Sequence, residues 1–241
     1  MGKTNFLMKK ILIFSILFLL ILPSLNAQRR NGLIGRRSTS VSSLVFSAGP
    51  GFLFGDTQGS IFNTSNYSSV HNYDISLGFR QRFQNNFGYK ASFNFGNQVG
   101  DDAGSKMIGR GYSFESKIME ASICGEYSMR WGGGRYRRYR NSMPNSLYGF
   151  LGAGVLNSSI PNQSYLPSYS AGTTFATTDT APVIPFGVGY QYQLTQDFSL
   201  GAEIGWKYII SDYVDGLKPP TGNSKSNDII AGLSVTVSYK L

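Results

Sequence analysis

Between Ile184 and Tyr208 the chain alternates with a period of two residues. Ile184, Phe186, Val188, Tyr190, Tyr192 and Leu194 fall on one face of an extended segment, with Pro185, Gly187, Gly189, Gln191 and Gln193 on the other. Thr195, Gln196 and Asp197 supply turn residues. Then Phe198, Leu200, Ala202, Ile204, Trp206 and Tyr208 alternate with Ser199, Gly201, Glu203, Gly205 and Lys207. The pattern predicts a β-hairpin with one continuous apolar face, rich in aromatics near the strand ends, and one face that is small, polar or charged. That combination suits lipid outside and a packed polar lumen inside, the reverse of a soluble sandwich.

The same rhythm predicts strands over roughly 41–55, 73–83, 87–97, 115–131, 147–156, 184–194, 198–208 and 228–241. In 147–156 the alternation leaves two choices, since either Tyr148 and Phe150 or Leu147 and Leu151 fit a lipid-facing side. Pro50 is expected where the ladder bulges. Long polar connections (56–72, the stretch after 97 with Asp101 and Asp102, 157–181, 211–227) alternate with short turns at 84–86 and 195–197, the arginine-rich 132–146 being the exception. An even strand count puts both termini on one side, and long loops belong outside. The predicted fold is therefore all-β: an eight-stranded antiparallel transmembrane up-and-down β-barrel over residues 41–241, in the outer membrane of a Gram-negative bacterium. A barrel this narrow fills its interior with side chains.

The first residues change the picture by supplying an address. Lys3, Lys9 and Lys10 precede the apolar run Ile11 to Leu22 and a small-residue site at Ala27, the plan of a secretory signal peptide over 1–27 cut between Ala27 and Gln28. The twelve-residue run is short for a spanning helix of about 20 residues. Residues 28–40 read as a periplasmic lead-in carrying Arg29, Arg30, Arg36 and Arg37. Taking the three leader lysines from the 22 basic residues leaves 19 against 13 acidic ones, a mature net charge of +6. Only one cysteine, Cys124, and one histidine, His71, are present, which excludes an internal disulfide and a Cys/His zinc cluster. No cofactor is expected.

Candidate chemistry is sparse. The inward charges Asp74, Glu120, Glu126 and Glu203 match Arg80, Arg82, Lys90 and Lys207 in number, so they read as neutralising partners rather than as acid and base catalysts. Ser68, Ser69, His71 and Asp74 lie close in sequence near the outer rim, but His71 and Asp74 point to opposite faces of a regular strand, and triads are recognised by geometry. Arg135, Arg137, Arg138 and Arg140, interleaved with tyrosines, form the most informative feature. The leader excludes nucleic acid as their partner. In the periplasm they fit anionic headgroups, peptidoglycan carboxylates or an acidic protein, and equally a solvated turn beside inner-leaflet phosphates.

The stretches RGYSFESKIMEASICGEY (Arg110 to Tyr127), LYGFLGAGV (Leu147 to Val155), IPFGVGYQYQL (Ile184 to Leu194) and SDYVDGL (Ser211 to Leu217) resemble a family of Bacteroidota outer-membrane barrels that includes PorG, the barrel component of type IX secretion. The last is similar to that family's Thr-Asp-Tyr-Leu-Asp-Asp pattern, with Gly216 in place of a second acidic residue. The resemblance implies a non-enzymatic barrel set in outer-membrane lipid that contacts periplasmic secretion-ring or lipoprotein partners, and it carries over no catalytic residue. Two other readings stand beside it: a surface-adhesion barrel using its long loops, and a lipid-modifying enzyme using His71.

Overall fold

The computed structural model describes residues 40–54, 72–83, 86–101, 113–131, 145–164, 174–175, 177–195, 197–211, 214, 217–218 and 228–241. The leader with its Ala27–Gln28 cut, residues 28–39, Ser68, Ser69, His71 and the arginines 135, 137, 138 and 140 lie outside the described residues. Eleven strands follow in order: β1 (Val41–Gly49), β2 (Gly51–Phe54), β3 (Tyr73–Arg82), β4 (Phe87–Asp101), β5 (Ser113–Trp131), β6 (Asn145–Ser164), β7 (Thr174–Phe175), β8 (Thr178–Gln193), β9 (Phe198–Ile209), β10 (Leu217–Lys218) and β11 (Ile229–Lys240). Each barrel strand pairs antiparallel with its sequence neighbour, and β1 pairs with β11, which closes the sheet. Strands β1 and β2 are one stave interrupted at Pro50, so the barrel has eight staves. The short β7 and β10 pair with each other in a separate ribbon.

No bulge is needed at Pro50. The register runs on from Ala48↔Val235 to Gly51↔Gly232, and the Pro50 carbonyl still accepts from the Leu233 N–H at 3.2 Å. Proline removes one donor from the ladder and leaves its phase intact. The bulge falls instead between β5 and β6, where the register shifts between Glu115↔Asn162 and Lys117↔Ser159, beside Pro161. At the short-turn end, Asn86 adopts φ 67°, a left-handed conformation that asparagine tolerates. Its carbonyl accepts from the backbone N–H (2.8 Å) and hydroxyl (3.1 Å) of Ser128. The Thr195 hydroxyl closes the turn into β9 by accepting from the Phe198 N–H at 3.0 Å.

Alternation sorts the faces as expected through the middle of the barrel. Leu77, Ile123, Met129, Val188, Leu200 and Val237 are exposed on the outside, while Arg80, Cys124, Glu126 and Glu203 are buried within. Aromatics border the outer belt: Phe87 against Tyr127 edge-on at 5.1 Å and Phe198 against Tyr239 at 5.0 Å near the short turns, and Phe186 stacked on Trp206 at 5.8 Å toward the long connections. For β6 the structure decides the open choice. Leu147, Leu151 and Val155 are exposed, and Tyr148 turns inward at 1% exposure.

The end bearing the long connections departs from the expected pattern. Strand β6 continues to Ser164 and β8 begins at Thr178, so much of 157–181 is strand rather than loop, and Asp101 belongs to β4. Here the lumen is apolar. Leu53, Phe114, Ile118, Leu156, Ile160, Ala181, Val183, Ile209, Val214 and Ile230 form one buried cluster inside the staves. On β5, β6 and β8 most outward positions at this level are polar, with Lys117, Asn157, Asn162, Thr178 and Thr180 exposed beside Met119. The staves have left the hydrocarbon layer, and the ordinary rule of apolar inside and polar outside returns.

Candidate functional site

The lumen below this apolar cap is a layered set of ion pairs, and period-two alternation on facing staves places every member. Toward the short turns, Arg80 Nε lies 2.9 Å from Glu126 Oε2, and its Nη2 lies 2.9 Å from Glu203 Oε1. Lys90 Nζ sits 2.9 Å from Glu203 Oε2. The Tyr148 hydroxyl donates to Glu203 Oε1 at 2.5 Å, while the Arg80 and Arg82 guanidiniums flank its ring at 4.6 and 5.1 Å. Arg80 Nη1 also reaches the Gln191 Oε1 at 3.5 Å, and Arg82 Nε lies 3.8 Å from Glu126 Oε2. Nearer the cap, Lys207 pairs with Asp74 and, at 2.8 Å, with Glu120.

All eight inward charges read from the sequence are thus brought together: four carboxylates and four cations. One buried charge would be prohibitive, but each is paired, and Arg80, Arg82 and Glu203 are further hydrogen-bonded to Gln191, Ser146 and Tyr148. A cavity of about 90 Å³ lies between the two groups, lined by Lys90, Glu203, Asp74, Glu120, Lys207 and Cys124. Its volume and the charged groups that reach it suit ordered water. Cys124 is a buried free thiol. Among the described residues no group of three or more His, Cys, Asp and Glu side chains is placed to hold a metal ion. Asp74, the carboxylate proposed beside His71, is held by Lys207 inside the barrel.

Tyr148 is the member that the sequence pattern leaves undecided. Its room comes from glycines on the facing stave: a Cβ added at Gly189 would lie 2.3 Å from the Tyr148 Cζ. Likewise a Cβ at Gly187 would lie 2.7 Å from the Phe150 Cζ, and one at Gly205 3.3 Å from it. Contacts as short as those at Gly189 and Gly187 do not occur and that at Gly205 is tight, so the inward glycines of β8 and β9 are the sockets for the inward aromatics of β6. That spacing, glycine at alternate inward positions beside a strand with two aromatics, was the available signal.

The cap is held by its own polar latch. Asp228, 1% exposed, accepts from the Val214 N–H at 3.1 Å, and its backbone bonds to Ile209 and Ser211. The Ser211 hydroxyl donates to Asp179. Val214, fully buried, therefore sits at the mouth of the barrel; it is the described centre of the SDYVDGL stretch, whose Asp212, Tyr213 and Asp215 lie outside the described residues.

The family model described as "Domain of unknown function (DUF6089)" matches residues 45–236, about four-fifths of the chain. No curated protein matches. Among solved structures, Neisserial surface protein A is 12% identical with a TM-score of 0.49, over 83% of this chain and 97% of that one. A major outer membrane protein from Thermus thermophilus is 12% identical with a TM-score of 0.47, over 84% and 100%. Ail, the attachment invasion locus protein of Yersinia pestis, is 14% identical with a TM-score of 0.45, over 84% and 99%. A closed eight-stave barrel with an apolar belt, aromatic borders and a charged lumen is a transmembrane barrel of the Gram-negative outer membrane.

Proposed function

Since this chain belongs to the DUF6089 family, a domain of unknown function, its role has to be read from the barrel itself, and we propose a non-enzymatic, non-conducting outer-membrane anchor that docks a periplasmic protein-secretion assembly of the type IX kind. The observation that carries this is the filled lumen. Among the described residues, eight mutually paired charges and an apolar cap occupy the axis. A barrel so closed acts through its ends. At the periplasmic end the sequence groups Arg135, Arg137, Arg138 and Arg140, a charge density that fits an acidic protein surface. The resemblance of the strand motifs to the PorG-containing family supports the same partner class, a secretion-ring subunit or lipoprotein.

In-cell photo-crosslinking from position 137, followed by mass spectrometry of the attached species, tests the reading. Adducts to ring or lipoprotein subunits are expected. Adducts to lipid alone, or to abundant envelope proteins alone, would overturn it. The staves that rise beyond the apolar belt favour one second reading, surface recognition through the long-loop end, which exchange of those loops would abolish.

A further inference from the structure

The polar outer face of the raised wall carries an inference of its own, independent of the periplasmic reading. Three outward rows cross β5, β6 and β8. The lowest, Ala121–Val155–Pro182, is apolar; the next is Met119–Asn157–Thr180; the third is Lys117–Ser159–Thr178. The surface thus changes from hydrocarbon-compatible to amide, hydroxyl and ammonium within two rows. Ser113 lies six residues beyond Met119, about 20 Å along the strand.

The polar groups are ordered on the sheet. Asn157 Nδ2 donates to the Thr180 hydroxyl at 2.7 Å and the Asp179 carbonyl at 3.2 Å, and Asn162 Nδ2 donates to Glu115 Oε2 at 2.8 Å. Lys117 is exposed and makes no ion pair among the described residues. Because the cap packs beneath, through Phe114, Ile118, Leu156 and Ile160, the wall is a rigid platform rather than a loop.

We propose that this platform seats the phosphorylated sugar headgroup of an outer-leaflet glycolipid. Its acyl chains would lie on the apolar belt directly below. Lys117 meets a phosphate, and Asn157, Ser159, Thr178 and Thr180 meet sugar hydroxyls. The occupant follows from continuity: whatever lipid covers Ala121, Val155 and Pro182 must present its headgroup to the next two rows. It follows also from charge, since Lys117, the one cation among the described residues of these rows, stands at headgroup height.

The test is calorimetric titration of the folded full-length barrel, in nonionic detergent, with deep-rough lipopolysaccharide, its dephosphorylated form and phosphatidylglycerol. Heat-modifiable gel mobility verifies folding of each variant. Lipopolysaccharide is expected to bind more tightly than phosphatidylglycerol. Lys117→Gln should weaken it roughly fivefold, as one lost cation near an anionic surface implies. The same variant should leave the dephosphorylated glycolipid unaffected, whereas Asn157→Leu with Thr180→Val should weaken both glycolipids. Lys240→Gln, at the opposite end, should change nothing. Wild-type affinity in both platform variants would overturn the proposal. So would equal binding of phosphatidylglycerol with the same dependence on Lys117, which would mean general attraction to anionic lipid.

Discussion

Glu203→Gln should be among the most damaging nearly isosteric changes in this barrel. The carboxylate takes Arg80 at 2.9 Å, Lys90 at 2.9 and 3.0 Å, and the Tyr148 hydroxyl at 2.5 Å, with its side chain 8% exposed. At an effective dielectric of about 20, two unit charges 2.9 Å apart attract by roughly 6 kcal/mol, most of which repays desolvation. Removing the anion while keeping the shape leaves Lys90 facing an amide and Arg80 with Glu126 as its remaining anion. The net cost expected for breaking such a buried pair is about 3 to 5 kcal/mol. Urea unfolding of the barrel in lipid vesicles, followed by tryptophan fluorescence, measures it, because Trp206 faces outward and changes environment when the barrel leaves the bilayer. The double variant Glu203→Gln with Lys90→Gln restores the balance of charge and should cost less than the sum of the single changes. A single-variant loss below about 1 kcal/mol, or strict additivity, would refute the claim that these pairs hold the lumen together.

Gly189→Ala should force Tyr148 out of its socket and destabilise the barrel by about 1–3 kcal/mol in the same unfolding assay; Gly125→Ala, facing lipid with its nearest contact at 3.9 Å, should be nearly neutral. Asn86→Val places a β-branched residue at φ 67° and should cost about 1–3 kcal/mol, whereas Asn86→Gly should be tolerated. Leu156→Asp puts a charge into the fully buried cap, so single-barrel conductance in planar bilayers should rise from near zero if the variant inserts. Unchanged conductance in a variant verified as folded would show that the ion-pair layers seal the lumen without the cap.

Much of this protein was legible one strand at a time. Period-two alternation is a property of the extended backbone, so the inward positions of Arg80, Lys90, Glu126 and Glu203 and the outward positions of Leu77, Ile123 and Val237 followed from parity without knowledge of any partner. Strand number, the turns at 84–86 and 195–197, and the equal number of inward cations and anions were local or additive facts. Pairing is neither. Lys90 and Glu203 stand 113 residues apart, and only closure of β1 on β11 with a fixed register sets them at the same height. The choice of face in β6 turned on space: Tyr148 and Phe150 face inward because Gly189, Gly187 and Gly205 leave room there, on strands remote in sequence. The cap was missed for a related reason. Ile118, Leu156, Ile160 and Val183 look like strand ends dissolving into polar loops until tertiary structure gathers them at one level. There the solvent outside the staves changes from lipid to water, and the same alternation serves the opposite rule of burial.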